Sequence, residues 1–136
     1  MKKASVLLGV IWWSLLLLSG CNFIRSEEEP RKPLEYSIVK NEDLPAELAA
    51  LIQEKKAKAF QLTYQSEKDL FLIKGYGQQM SGGYSISVEE LGVTSQAVFF
   101  RTQLIGPQDE KIVLSPPSYP YIVVKMAYRK EPVIFE

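Results

Sequence analysis

The 136-residue chain holds one cysteine and no histidine, which narrows the chemistry open to it. Histidine is the commonest general base, the commonest metal ligand and the usual switch near neutral pH, so three roles lose their ordinary bearer. Ser85, Ser87 and Ser115 carry hydroxyls that could attack a substrate, but no imidazole exists to activate them. Asp69, Glu89 and Glu90 could act as general acids, yet two adjacent carboxylates on a strand point to opposite faces. Glu27, Glu28 and Glu29 offer oxygens without the glycine turn and alternating ligands of a calcium loop. A glycine-rich phosphate cradle needs a helix N-terminus behind it, and the glycines at 75–83 lead into a strand pattern. The sequence thus predicts no catalytic residue, no bound metal, no small-molecule cofactor and no enzyme.

One thiol remains. Met1-Lys2-Lys3 is a short positive start, and Ala4–Leu18 is an apolar run of the length of a signal-peptide core and short for a spanning helix. The run ends in Leu18-Ser19-Gly20-Cys21. This tetrapeptide resembles the lipobox of bacterial lipoproteins, a leucine and two small residues before a cysteine that receives a lipid. Small residues let the extended chain enter a peptidase, and the thiol is the nucleophile toward the lipid donor. The resemblance implies a signal peptide over 1–20, lipidation at Cys21, and a protein anchored to the cell membrane on its extracytoplasmic side. More than one acyl chain makes such a tether stable. Residues 21–33, with Glu27–Glu29, Pro30 and Pro33 and almost nothing apolar beyond Phe23 and Ile24, are expected to be a flexible linker.

Charge argues against one class of partner. The 16 basic and 16 acidic side chains balance, and removing Lys2 and Lys3 with a leader leaves 14 basic against 16 acidic. That balance predicts no nucleic-acid partner and gives anionic lipid no electrostatic hold. A lone cysteine also excludes an intrachain disulfide and a thiolate zinc site.

The elements that position the remaining candidates begin at Leu34. Leu34–Val39 reads as a short strand. Asn41–Glu47 carries helix-start signals, with Asp43 near the cap and Pro45 in the first turn. Leu44, Leu48, Leu51 and Ile52 recur at helical spacing, so a helix with one buried face is expected over about 44–57. Its closing Lys55, Lys56 and Lys58 stand where a helix dipole favours cations. From Ala59 the chain reads as strands: Phe60–Tyr64, Asp69–Tyr76, Tyr84–Leu91, Ala97–Ile105, a brief Ile112–Leu114, Tyr119–Tyr128, and an edge piece at Pro132–Phe135. The fold class expected is mainly β (α+β), a small antiparallel β-sandwich or partly closed barrel with one N-terminal amphipathic helix, filling one domain over 34–136.

Gly75–Ile86 holds four of the eight glycines and joins two strands. It is longer than a tight hairpin needs, and surplus loop is where binding function usually sits. If consecutive strands are neighbours, the turns at Ser66–Lys68, Gly92–Ser95 and Arg129–Pro132 share one end of the array. Gly77–Gly83 and Gly106–Ser118 share the other. The candidate protein-binding residues are therefore Gln79, Met80, Ser81, Gly82, Gly83, Tyr84, Gly106, Pro107, Pro116, Pro117 and Tyr119, with Tyr76 and Tyr121 nearby. Methionine and aromatic side chains beside adaptable glycines are what recognition surfaces are rich in. Tyr84 and Tyr121 also fit as cross-strand core residues.

Gly75-Tyr-Gly-Gln-Gln-Met-Ser-Gly-Gly-Tyr-Ser-Ile86, a Gly-Pro turn, and Ser115-Pro116-Pro117-Ser118 running on to Lys125 together resemble the C-terminal domain of the PrcB family. The resemblance covers about Phe60–Phe135. It implies a lipoprotein subunit that supports a surface protease complex without being the protease, and hence a protein partner such as a secreted protease. A second likeness is to chagasin-type inhibitors of papain-like proteases, echoed by Ser81-Gly82-Gly83-Tyr84 and Tyr128–Pro132. Gly82-Gly83 stands where that family has Thr-Gly, and the Arg129 turn is expected at the opposite end from Gly82. The reading that follows is a membrane-tethered, non-catalytic binding or assembly module. A chagasin-like inhibitor and an envelope lipoprotein without a specific ligand are the alternatives.

Overall fold

Leu70, Phe71, Leu72 and Ile73 are all buried, as are Ile122, Val123 and Val124. Alternate residues of a strand face opposite ways, so the strands that carry these runs must be covered on both faces. They are β4 (Asp69–Tyr76) and β7 (Tyr121–Ala127), hydrogen-bonded neighbours in antiparallel register from Asp69↔Ala127 to Gly75↔Tyr121. A second sheet covers one face, and a helix covers the other.

The computed structural model describes residues 29–109 and 115–136, and Arg31–Glu136 form one unit divided from Met1–Pro30. The expected signal peptide, Cys21, the linker as far as Glu28 and the strand piece Ile112–Leu114 lie outside the described residues. The remaining elements are β1 (Lys32–Pro33), β2 (Ser37–Ile38), α1 (Ala46–Lys55), β3 (Ala59–Ser66), β5 (Ser85–Val93), β6 (Val98–Ile105) and β8 (Val133–Phe135). One sheet has the order β1-β5-β6-β8 and the other β2-β7-β4-β3. Every pairing is antiparallel except β6 with β8. Neither sheet closes on itself, so the fold is the sandwich of the two expected architectures.

Between the sheets, Leu70, Leu72, Val124 and Met126 meet Leu91, Val93, Val98 and Phe100. Phe100 is 1 % exposed and packs edge-on against Phe135 of β8, with ring centroids 5.8 Å apart. On the outer face of the β2-β7-β4-β3 sheet, Leu48 and Ile52 of α1 join Phe71, Ile73 and Val123. Both helix residues have no exposed surface, and i, i+4 spacing is what aligns them on one face. The helix matches its expected span to within two residues. Asp43, however, belongs to a 3-10 turn at Asn41–Asp43, and the helix N-cap is Pro45 without a side-chain bond.

Three other expectations change. Leu34–Val39 is not one strand. It belongs to a crossing from the first sheet, where β1 pairs with β5, to the second, where β2 pairs with β7, and Leu34 packs against the core on the way. The linker placed at 21–33 runs into the fold early: Lys32 and Pro33 pair with Val93 and Gly92. Arg31 stacks 3.7 Å from the Phe99 ring and pairs with Glu90 and with Glu136, the latter at 2.7 Å. The third change is the strand order. β4 and β5 are not neighbours, nor are β6 and β7, because the chain changes sheet between them.

Candidate functional site

The two glycine- and proline-rich connections are the crossings. Residues 77–84 carry the chain from β4 in one sheet to β5 in the other, and residues 106–120 return it from β6 to β7. Stacked sheets lie about 10 Å apart, so much of the loop length read as surplus spans that gap. Strand direction still alternates along the chain, which keeps both crossings at one pole of the sandwich, as the sorting of loops anticipates. The three turns fall together at the opposite pole: Tyr128 N–H donates to Lys68 O at 2.8 Å, and Val98 N–H donates to Pro132 O at 2.8 Å.

At the crossover pole the two loops bind one another. Gln79 and Ser118 form an isolated antiparallel bridge, with Gln79 N to Ser118 O at 2.8 Å and Ser118 N to Gln79 O at 3.2 Å. Ser118 Oγ donates to Ser81 O at 2.6 Å, and Gly82 N–H donates to Ser115 Oγ at 2.7 Å. Ser81 is thereby drawn in to 3 % exposure. The chain turns into and out of this clasp at Gly77 (φ +75°) and Gly83 (φ +82°), conformations that side chains with a Cβ rarely adopt.

What the clasp leaves outside is informative. Met80 is 88 % exposed although the residues on either side of it are held. Tyr119 and both prolines of Pro116-Pro117 are exposed, and Lys56 Nζ lies 5.4 Å over the Tyr119 ring. A cation over an aromatic face is attracted to its negative quadrupole. Gly106 and Pro107 are half-buried, and a Cβ on Gly106 would lie 3.8 Å from the Tyr84 ring. Tyr84 is itself half-buried. Tyr76 is spent inside the sandwich, its hydroxyl hydrogen-bonded to Thr102 Oγ1 across the two sheets. Tyr121 faces the helix layer, where its hydroxyl donates to Asn41 Oδ1 at 2.7 Å and burial pushes its phenol pKa up.

The expected surface thus divides. Met80, Tyr119, Pro116 and Pro117 are exposed; Gln79, Ser81, Gly82 and Gly83 build the frame; Tyr84, Gly106 and Pro107 are half-buried, with Tyr84 beside Gly106. Sequence reasoning weighed Ser115 only as a nucleophile and did not place Ser118 in the site, yet these two serines do the pinning. Their signal was the pair of prolines between them, since two fixed φ angles hold two flanking hydroxyls at a set spacing. It also preferred a solvated helix end to a partner-binding patch for Lys56.

Ser37-Ile38-Val39-Lys40 has a serine–lysine spacing used by some hydrolases, but Ser37 lies in β2 and an offset of three along extended chain sends the two side chains to opposite faces. The pieces that echo chagasin-type inhibitors lie at opposite poles, Gly82 in the clasp and Arg129 in the turn beside Lys68. Arg129 is engaged there by Glu131, with Nε to Oε2 at 2.9 Å, and the guanidinium holds that carboxyl below its ordinary value.

A family model described as PrcB C-terminal matches residues 70–127. No curated protein and no solved structure matches the chain. The matched stretch opens in β4 and closes with β7, and so takes in the two doubly covered strands, the hairpin of β5 and β6, and both crossings. The clasp of Gln79, Ser81, Gly82, Ser115 and Ser118 lies wholly inside that stretch, so the part of the chain that is similar to the PrcB C-terminal domain, residues 70–127, is the part that carries the candidate site.

Proposed function

We propose that this chain is a non-catalytic protein-binding module, tethered by lipid at Cys21 to the extracytoplasmic side of the membrane, that supports a partner such as a secreted protease. The observation that carries the reading is the exposure of Met80. An 88 % exposed methionine at the tip of a loop fixed on both sides is a mobile apolar side chain on a rigid mount. Such a side chain can fill a partner's pocket at little ordering cost to the backbone. Tyr119 and the Pro116-Pro117 pair extend the same surface. The family likeness supports a protease-complex setting, and the Leu18–Cys21 motif supports the anchor.

Two experiments separate the parts of this reading. For the anchor, Cys21→Ser should move the protein from the membrane fraction to the soluble fraction, and unchanged partition would refute lipidation. For the surface, parent and Met80→Asp chains would be used to capture proteins from secreted and envelope fractions, with unfolding midpoints compared. A discrete partner held by the parent and lost by an equally stable variant supports the site. Equal capture by both contradicts it. An activity assay on a captured protease then separates support from inhibition.

A further inference from the structure

Native sheets keep their edge strands from pairing with other chains by making them short, bulged, charged or proline-bearing. Three of the four edges here are short: β1 and β2 have two residues each, and β8 has three. β3 differs. It runs eight residues and pairs with β4 without a register shift, from Ala59↔Tyr76 to Ser66↔Asp69. Ala-Phe-Gln-Leu-Thr-Tyr-Gln-Ser contains no charge, no proline and no glycine. Among the described residues no strand pairs with its outer edge. Beside that edge, between β3 and β8, a groove of about 700 Å³ is lined by Gln61, Thr63, Gln65 and Phe135 together with the Arg129 and Glu131 side chains, which pair with each other. A strand added to β3 would find room there for the side chains it turns toward the second sheet.

We propose that β3 pairs with β3 of a second copy of this chain, antiparallel and centred on Thr63. The requirement comes from the two faces of the strand. Phe60, Leu62 and Tyr64 continue the apolar layer under α1, while Gln61, Thr63 and Gln65 face the groove. An added strand that continues both faces alternates apolar and polar residues, and β3 itself does so from Phe60 to Gln65. With a twofold axis through Thr63, Thr63 of one copy faces Thr63 of the other, Gln61 faces Gln65, and Leu62 faces Tyr64. Opposed residues in an antiparallel pair share a face, so the pairs from Gln61 to Gln65 keep each face's character across the axis, Phe60 stands opposite Ser66, and β3 itself brings no charge to meet its like. The axis also places both helices on one side of a continuous eight-stranded sheet. Because the contact is isologous it closes at two copies, which removes the aggregation hazard of a long bare edge. Met80 and Tyr119 take no part in it.

The test uses the full chain in detergent with Cys21→Ser, carrying one new cysteine at a time. Thr63→Cys should form covalent dimers on mild oxidation, because the two thiols meet at the axis. Gln65→Cys should link far less, since its opposite residue is Gln61. Gln96→Cys, in the exposed turn after β5, should give only background. No linking at Thr63, or equal linking at Gln96, overturns the pairing, and equal linking at Gln65 overturns the register. Sedimentation gives a second reading. The Cys21→Ser chain should sediment as a dimer and Thr63→Lys as a folded monomer, because two ammonium groups would face each other. A chain that is monomeric at every concentration overturns the proposal and leaves the edge to an extended segment of another protein.

Discussion

Gln79 and Ser118 exchange both of their backbone hydrogen bonds, although 38 residues and two changes of sheet separate them along the chain. That exchange makes one body of the two crossings. Each loop is rich in glycine or proline, and outside the bridge no described residue of either is in a strand, so either alone would sample many conformations. Joined, they hold Met80 and Tyr119 on a common frame.

The frame should weaken when a pin is removed. Ser118→Ala deletes the 2.6 Å bond to Ser81 O and leaves a drawn-in carbonyl without that donor. The expected loss is about 1 kcal/mol of unfolding free energy, read from denaturant titration. Amide exchange at Gln79 should rise while exchange in β4 and β7 stays as it was.

The two loop glycines should differ in their sensitivity. Gly83 sits at φ +82°, where a β-branched side chain is strained, so Gly83→Val should cost about 1–3 kcal/mol. Gly82 is not in the left-handed conformation, and its limit is space, since an added Cβ would lie 3.1 Å from Ser115 Oγ. Gly82→Ala should therefore cost less than Gly83→Val in the same titration, because the serine side chain can give.

These particulars show what the sequence made legible. Asp69–Tyr76 is read to the residue because charge, glycine and apolar content change sharply at its ends, and Leu70–Ile73 already implies two covered faces. The common pole of the two crossings is legible because antiparallel strands alternate direction whichever sheet they join. The strand order is not, since nothing local in 77–84 distinguishes a long hairpin from a passage between sheets. Leu34–Val39 misleads for the same reason: an apolar residue at Leu34 fits a strand as well as it fits a chain dipping into the core. The serine pins escape notice because a hydroxyl's partner is chosen by tertiary approach.

The helix layer offers a stability prediction. Leu48 has no exposed surface and packs with Ile52 against Phe71, Ile73 and Val123. Leu48→Ala should cost about 2–5 kcal/mol through lost burial and the cavity left behind. Thermal unfolding followed by far-ultraviolet dichroism would check it, and a shift no larger than that of an exposed control such as Ala50→Ser would contradict the docking.

Acid should loosen the start of the domain. The hydrogen bond from Arg31 holds the Glu90 carboxyl below its ordinary value of 4.5. A depressed folded-state value means that Glu90 adds stability above about pH 4.5, which is lost as pH falls through the folded value. The unfolding midpoint should fall between pH 6 and 3, and Glu90→Gln should flatten part of that slope. Because Arg31 also stacks on Phe99 and pairs with Glu136, the variant should keep the rest of the contact, and amide exchange at Lys32 and Leu34 would report how much.

The central claim is that the crossover pole is where a protein partner is held, and a photoreactive side chain placed at Met80 in the membrane-tethered protein tests it most directly. The same group at Gln96, in the turn at the opposite pole, is the reference. The account predicts one discrete cross-linked protein at Met80 that is absent at Gln96 and disappears when Tyr119→Ala is added. An identical pattern at both positions, or none at Met80, would contradict it.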